Sequence, residues 1–136
     1  MNNPNVAPEQ LAPLRFLPKL SWLILNDVPV RDAGLEHVQG CTGLRRLSLQ
    51  NAQITDAGLH RLAGLVELRI LHLDDNPIGD AGVEHLHALR RLETLTLRNT
   101  RVTPEGVRRL KQAVPAVEVV GVSDRTPAPR SPQVPP

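Results

Sequence analysis

The chain has 136 residues, 40% of them hydrophobic, and a formal charge of +2 at pH 7. That length is one domain, and so small a net charge selects neither a nucleic acid nor a membrane surface as partner. A single cysteine excludes an internal disulfide, and no apolar run approaches the roughly 18 residues that a membrane helix requires.

Taken from the start, MNNPNVAPEQ lacks a charged segment followed by an apolar one, so no secretion leader is read and cytoplasmic residence is expected. Residues 6–20, VAPEQLAPLRFLPKL, align with VTPEGVRRLKQAVPAV at 102–117. The chain is therefore expected to open with the helical half of a repeat. Residues 1–19 would form a degenerate cap in which Leu11, Leu14, Phe16 and Leu17 close the first coil, although Pro13 and Pro18 interrupt the helix.

The body, residues 20–122, repeats. LILNDVPVRDAGLEHV, LSLQNAQITDAGLHRL, LHLDDNPIGDAGVEHL and LTLRNTRVTPEGVRRL begin at positions 23, 47, 71 and 95, a fixed step of 24 residues. In each unit an L-x-L alternation predicts a short strand with one buried face, and apolar residues three apart then predict a short helix. Leu35, Val38 and Cys41, then Leu59, Leu62 and Leu65, make up two of these helical series. Val117, Val120 and Val122 are expected to be the inward residues of a fifth strand after a 25-residue step, giving five strands and five helical segments. Beyond them residues 123–136 hold five prolines in the last ten positions and read as a disordered, polyproline-like tail.

These units resemble the leucine-rich repeat family, over about residues 6–122. The resemblance implies an α/β solenoid of about five coils, with a short parallel sheet on its concave face and short helices on its convex face. The TDAGL stretch, Thr55 to Leu59, is similar to the short-helix repeats of bacterial proteins and of the cysteine-containing, F-box-associated class. The family's closing asparagine stands only at Asn76, whereas Val28, Ala52 and Thr100 hold the matching places, so no continuous asparagine ladder is expected.

With the register set, most polar residues read as structural. The acidic run HLDDNPIGDAGVEH, residues 72–85, fails as a calcium loop because Ile78 and His85 stand where oxygen ligands are needed. Asp27, Asn51, Asp75, Asn99 and Asp124 share one phase and suit turns at positive φ. Thr55 and Thr103 suit helix N-caps, with Asp32, Asp56 and Asp80 at the positive helix ends. Gly34, Gly58, Gly82 and Gly106 recur in phase, which argues for close backbone packing. Cys41 lies in the core register of Leu65 and Leu89.

Function classes narrow accordingly. His37, His60, His85 and His87 have neither zinc spacing nor a cluster between neighbouring coils, so no metal or cofactor is expected. No nucleophile motif or phosphate loop is present, so the chain reads as no enzyme. Arg45, Arg46, Arg90, Arg91, Arg108 and Arg109 lack the aromatics that stack bases, which makes nucleic acid unlikely as a partner.

What remains is the concave face, where the resemblance implies protein binding. Its outward positions are Trp22, Ile24, Arg46, Ser48, Ile70, His72, Thr94 and Thr96, then Val119 and Gly121, with Asn26, Gln50, Asp74, Arg98 and Ser123 next along. Tryptophan and arginine are the residues most enriched among binding hot spots; Trp22 could equally cover the solenoid end with Phe16. The expected function is a non-catalytic protein-protein interaction module with a protein partner. Alternatives are a structural unit assembling through its ends, or the recognition subunit of a larger complex. A monomer is expected, ahead of an end-to-end oligomer.

Overall fold

In the computed structural model, residues 14, 17 and 19–122 are described. The N-terminal cap with Leu11, Pro13, Phe16 and Pro18, and the tail from Ser123 with Asp124, lie outside the described residues apart from Leu14, Leu17 and Lys19.

Five three-residue strands form one parallel sheet in chain order: β1 (Trp22–Ile24), β2 (Arg46–Ser48), β3 (Ile70–His72), β4 (Thr94–Thr96) and β5 (Glu118–Val120). Between them lie α1 (Arg31–Val38), α2 (Asp56–Leu59), α3 (Asp80–Val83) and α4 (Pro104–Ala113). Tighter 3-10 turns extend α2 over His60–Leu62 and α3 over Glu84–Ala88. Each strand pairs only with its sequence neighbours, and Leu23, Leu47, Leu71 and Leu95 lie side by side. This is the solenoid expected from the repeat.

Hydrophobic burial runs along the solenoid axis. Leu47, Leu71 and Leu95 stack from the sheet side, Leu59, Val83 and Val107 from the helical side, and all are fully buried. Cys41 is buried with them, and its thiol points to the Leu14 carbonyl at 3.5 Å. Burying each such leucine is worth about 1.5–3 kcal/mol.

The fifth strand departs from expectation. Pairing holds a 24-residue step, Leu95 opposite Val119 and Thr96 opposite Val120. Val119 is therefore the inward residue and packs on the core, while Glu118 and Val120 take the outward positions expected of Val119 and Gly121. On either side of the strand the 25-residue step survives: Val117 is buried before it, and Val122 packs on the core after Gly121 at φ 99°. Glycine adopts that dihedral at no steric cost.

The in-phase aspartates and glycines form one device. Asp32 accepts from the backbone N–H of Thr55 at 2.9 Å and from the Thr55 hydroxyl in the next coil. Asp56 accepts from Gly79 N–H at 2.7 Å, and Asp80 from Thr103 N–H at 2.8 Å and the Thr103 hydroxyl at 2.5 Å. Thr103 also caps α4, accepting from Gly106 N–H, with Pro104 in the first turn; Thr55 makes no such bond. Each carboxylate thus sits in the first turn of its own helix and ties down the start of the next. It needs space there. A Cβ on Gly58 would stand 2.7 Å from Asp32 Cγ, and one on Gly82 would meet Asp56 Oδ1 at 2.5 Å and Leu59 Cδ1 at 2.8 Å.

Substituting Gly82→Ala should lower stability in urea unfolding by about 1–3 kcal/mol, since the blocking carboxylate is pinned by its own hydrogen bond. Gly64→Ala, with nothing within 4 Å of the new methyl, is the control and should be neutral or slightly stabilising.

Candidate functional site

On the solvent side of the sheet the side chains fall into three rows, because strand residues two apart share a face. The first row is Trp22, Arg46, Ile70, Thr94 and Glu118, and the second is Ile24, Ser48, His72, Thr96 and Val120. The third is Asn26, Gln50, Asp74 and Arg98, just past the strand ends. Every described residue expected on this face, other than Val119 and Gly121, is in the expected row.

The rows differ in what they leave for a partner. Trp22 is 61% exposed and Ile24 58%, both on the edge strand β1. The Arg46 guanidinium carbon lies over the Trp22 ring, 4.9 Å from its centroid, a cation-π contact, and no side-chain hydrogen bond or ion pair engages its N–H groups among the described residues. Ile70 and Thr94 are half-buried, and Arg98 is exposed.

Ser48, Asp74 and Thr96 are buried, and the sheet itself uses their polar atoms. Asp74 accepts from the Arg98 backbone N–H at 2.6 Å, the Gln50 amide at 2.8 Å and the Thr96 hydroxyl at 3.1 Å. Two coils earlier Asn26 plays the same part, accepting from the Ser48 hydroxyl at 2.5 Å and the Gln50 N–H at 3.0 Å. Their spacing marked Asn26, Ser48, Gln50, Asp74 and Thr96 as outward-facing. Ser48, Asp74 and Thr96 are outward-facing yet buried, whereas Asn26 and Gln50 stay half-exposed.

The acidic stretch is spent on backbone. Asn76 is buried and bonds across coils as well as within its own. Its Oδ1 accepts from Ala52 and Ile54 N–H at 3.0 and 3.1 Å, and its Nδ2 donates to the carbonyls of Leu49 at 2.8 Å and Leu73 at 3.0 Å. Thr100 reproduces only the within-coil half, donating to Leu97 O at 2.7 Å. Asp27, Asn51, Asp75 and Asn99 have φ of 61°, 52°, 63° and 56°, as their turn phase required. Among the described residues no three histidine, cysteine, aspartate or glutamate side chains converge as a metal set.

His72 is the central titratable group of the face. Its Nδ1 lies 3.0 Å from Thr96 Oγ1. Since the Thr96 proton goes to the Asp74 carboxylate, which only accepts, Thr96 must accept from His72 Nδ1–H, and Nε2 is left facing outward. Burial, with the Arg46 charge adding to it, holds the imidazole below its usual range, and Asp74 opposes both.

Two expectations on the helical side need correcting or refining. Neighbouring coils do bring histidines together: His60 and His85 meet edge-to-face with ring centroids 6.0 Å apart. A one-position offset places them beside each other, which the comparison of like positions could not reveal. The arginines considered for nucleic acid are partly committed, Arg91 to Glu67 at 2.8 Å and Arg109 to Glu84 at 3.4 Å.

Comparison with known proteins agrees with this geometry. A family model described as Leucine Rich repeat matches residues 40–63 and 68–86. No match was found among curated protein sequences. Among solved structures, an internalin from Listeria monocytogenes is 26% identical at a TM-score of 0.70, over 85% of this chain and 32% of its own. A leucine-rich repeat protein of Leptospira interrogans is 19% identical at 0.62, over 87% and 28%. The actin-binding site 2 of leiomodin-1 is 17% identical at 0.66, over 94% and 85%. The chain thus spans about a third of the internalin it resembles. These matches support a leucine-rich repeat family and establish the leucine-rich repeat fold.

Two measurements follow from the site. Asp74→Ala should cost about 1–3 kcal/mol in urea unfolding, because three donors lose a buried acceptor. As for His72, its folded-state pKa lies below the unfolded value, so its stabilisation is present above about pH 6.5 and fades as pH falls through the lowered value. The drop in Tm between pH 7.5 and 5 should be smaller in His72→Asn than in the parent protein.

Proposed function

We propose that this leucine-rich repeat solenoid is a non-catalytic module that binds a protein partner through the solvent face of its sheet. The observation that carries the reading is the exposure of Trp22 and Ile24 beside the stacked Arg46. The buried core includes neither side chain, and large exposed apolar groups beside an arginine have the character of a binding hot spot. The contact set is Trp22, Ile24, Arg46, Ile70, His72, Thr94 and Arg98. Ser48, Asp74 and Thr96 hold the surface beneath them, and the half-exposed Asn26 and Gln50 flank it. Glu118 and Val120 extend it onto β5.

One fact weighs against nucleophilic catalysis by cysteine. The one thiol, Cys41, is buried in the core, and burial pushes its pKa up, away from the thiolate a nucleophile needs. No helix among the described residues is long and apolar enough to cross a membrane. A bacterial origin, the TDAGL subclass and cytoplasmic residence accord with the sequence and belong to this proposal.

Size sets the strength. Five strands at about 4.8 Å spacing span roughly 20 Å, and the strands are short, so the face offers a few hundred Å² against about 800 Å² per partner in a standard interface. It suits a short segment better than a second globular surface.

The test is capture from native lysate by the parent and two variants. Trp22→Ala with Arg46→Glu should remove a specific partner while Tm stays within a few degrees. Arg61→Glu with Arg109→Glu, on the helical side, should keep it, since the exposed ion pairs lost there contribute little. The reverse pattern would move binding to the helices. A stable dimer in sedimentation, lost in Trp22→Ala, would replace the partner by a second copy.

A further inference from the structure

Resting on that reading of the sheet face, we infer that its partner is an extended acidic peptide segment, gripped along a diagonal stripe of Arg46, His72 and Arg98, with an apolar side chain set on Trp22 and Ile24. The stripe follows from register. Arg46 is in the first row on β2, His72 in the second on β3, and Arg98 in the third beyond β4. One strand across and two residues along is about 8 Å per step, so the two guanidinium-bearing positions lie roughly 16 Å apart with the imidazole midway. That is the length of about five extended residues.

The charges near the stripe are asymmetric in what they have left to give. Asp74, the only carboxylate between the two arginines among the described residues, is buried and already accepts three hydrogen bonds. On β2, Ser48 is neutral, as is Gln50 beyond it; on β4, Thr94 and Thr96 are neutral. Glu118 stands on β5, two strands from His72, and Asp75 lies in the turn beyond the third row, taken up by the Asn99 amide at 2.7 Å. Arg46 lies over Trp22, and neither it nor Arg98 has an acid partner among the described residues. Gly121 clears its path: a Cβ there would meet Arg98 Cγ and its backbone nitrogen at 2.7 Å. Planar guanidinium groups with open N–H edges match carboxylates.

His72 makes this grip respond to pH. With Nδ1–H committed to Thr96, the outward Nε2 is an acceptor when neutral and a donor when protonated. A carboxylate can pair only with the second form, so the segment is held more tightly below the pH at which His72 gains its proton. Burial and Arg46 place that step below the ordinary imidazole range. A nucleic acid is also anionic, yet Trp22 is the only exposed aromatic among the described residues, too few for a stacking platform.

The experiment is selection from a random ten-residue peptide display library on the parent protein at pH 5, followed by affinity measurement at pH 5 and 7.5. Selected peptides should be rich in Asp and Glu, weaken about tenfold at the higher pH, and lose binding in Arg98→Gln or in Trp22→Ala. His72→Asn keeps a donor to Thr96 but cannot charge, and should remove the pH dependence while leaving binding measurable at pH 7.5. Neutral or basic winners that still depend on Trp22, or acidic winners indifferent to pH, would overturn the inference and leave the sheet-face reading standing. Winners untouched by Trp22→Ala and Arg98→Gln, or no winners at all, would overturn both. Tighter binding of a ten-residue oligothymidylate than of any selected peptide would also overturn it and make the face a nucleic-acid site.

Discussion

No coil of this protein can satisfy its own backbone, and the rest of the structure depends on that constraint. A 24-residue turn of chain leaves N–H groups at its corners that strand pairing does not reach, and an unpaired buried donor costs about 1–3 kcal/mol. Side chains from the adjacent coil meet them: Asp32, Asp56 and Asp80 serve the next coil, and Asn76 serves the preceding one. The glycines at 58, 82 and 106 exist to admit those carboxylates. Leucine stacking supplies the driving force, but these polar links fix the distance and register at which the leucines meet. Stability is therefore shared between neighbours, as expected of a one-dimensional repeat array.

The same constraint shapes the functional face. Asn26 and Asp74 hold the strand ends together across coils, and Asp74, Ser48 and Thr96 are thereby buried away from the surface offered to a partner. What stands free is a smaller set with a definite character, an apolar corner at Trp22 and Ile24 and a basic diagonal running from it. Because the residues beneath are locked by hydrogen bonds, the exposed ones are presented on a rigid support, which lowers the entropic cost of binding.

Much of this was legible from periodicity. The fixed step located every strand but the register of the last, and the Asp and Asn turn phase anticipated four positive φ values. Failures came where a side chain acts on a coil other than its own. Asp32 reads equally well as a simple helix-end charge, and nothing in residue type says that it reaches Thr55. Asp74 and Arg98 occupy the same phase, yet one is buried and the other exposed, because burial depends on what the neighbouring coil places beside each. At β5 the 25-residue step offers three inward valines, Val117, Val120 and Val122, where 24 residues offers Ala116, Val119 and Gly121, so apolar pattern alone pointed to 25; the strand pairing nonetheless keeps 24. Arg31 and Gln53 at positive φ had no signal in residue type at all.

The central claim is that neighbouring coils complete one another through these side-chain acceptors, and native-state hydrogen exchange tests it directly. Ala52, Ile54, Thr55, Gly79 and Thr103 have N–H groups bonded only to side chains of an adjacent coil. In the parent protein these amides should be protected to a degree comparable with the strand amides, and Asn76→Ala should release Ala52 and Ile54 while Thr103 stays protected. Exchange of all five at unfolded-chain rates in the parent, with the strands still protected, would contradict the account.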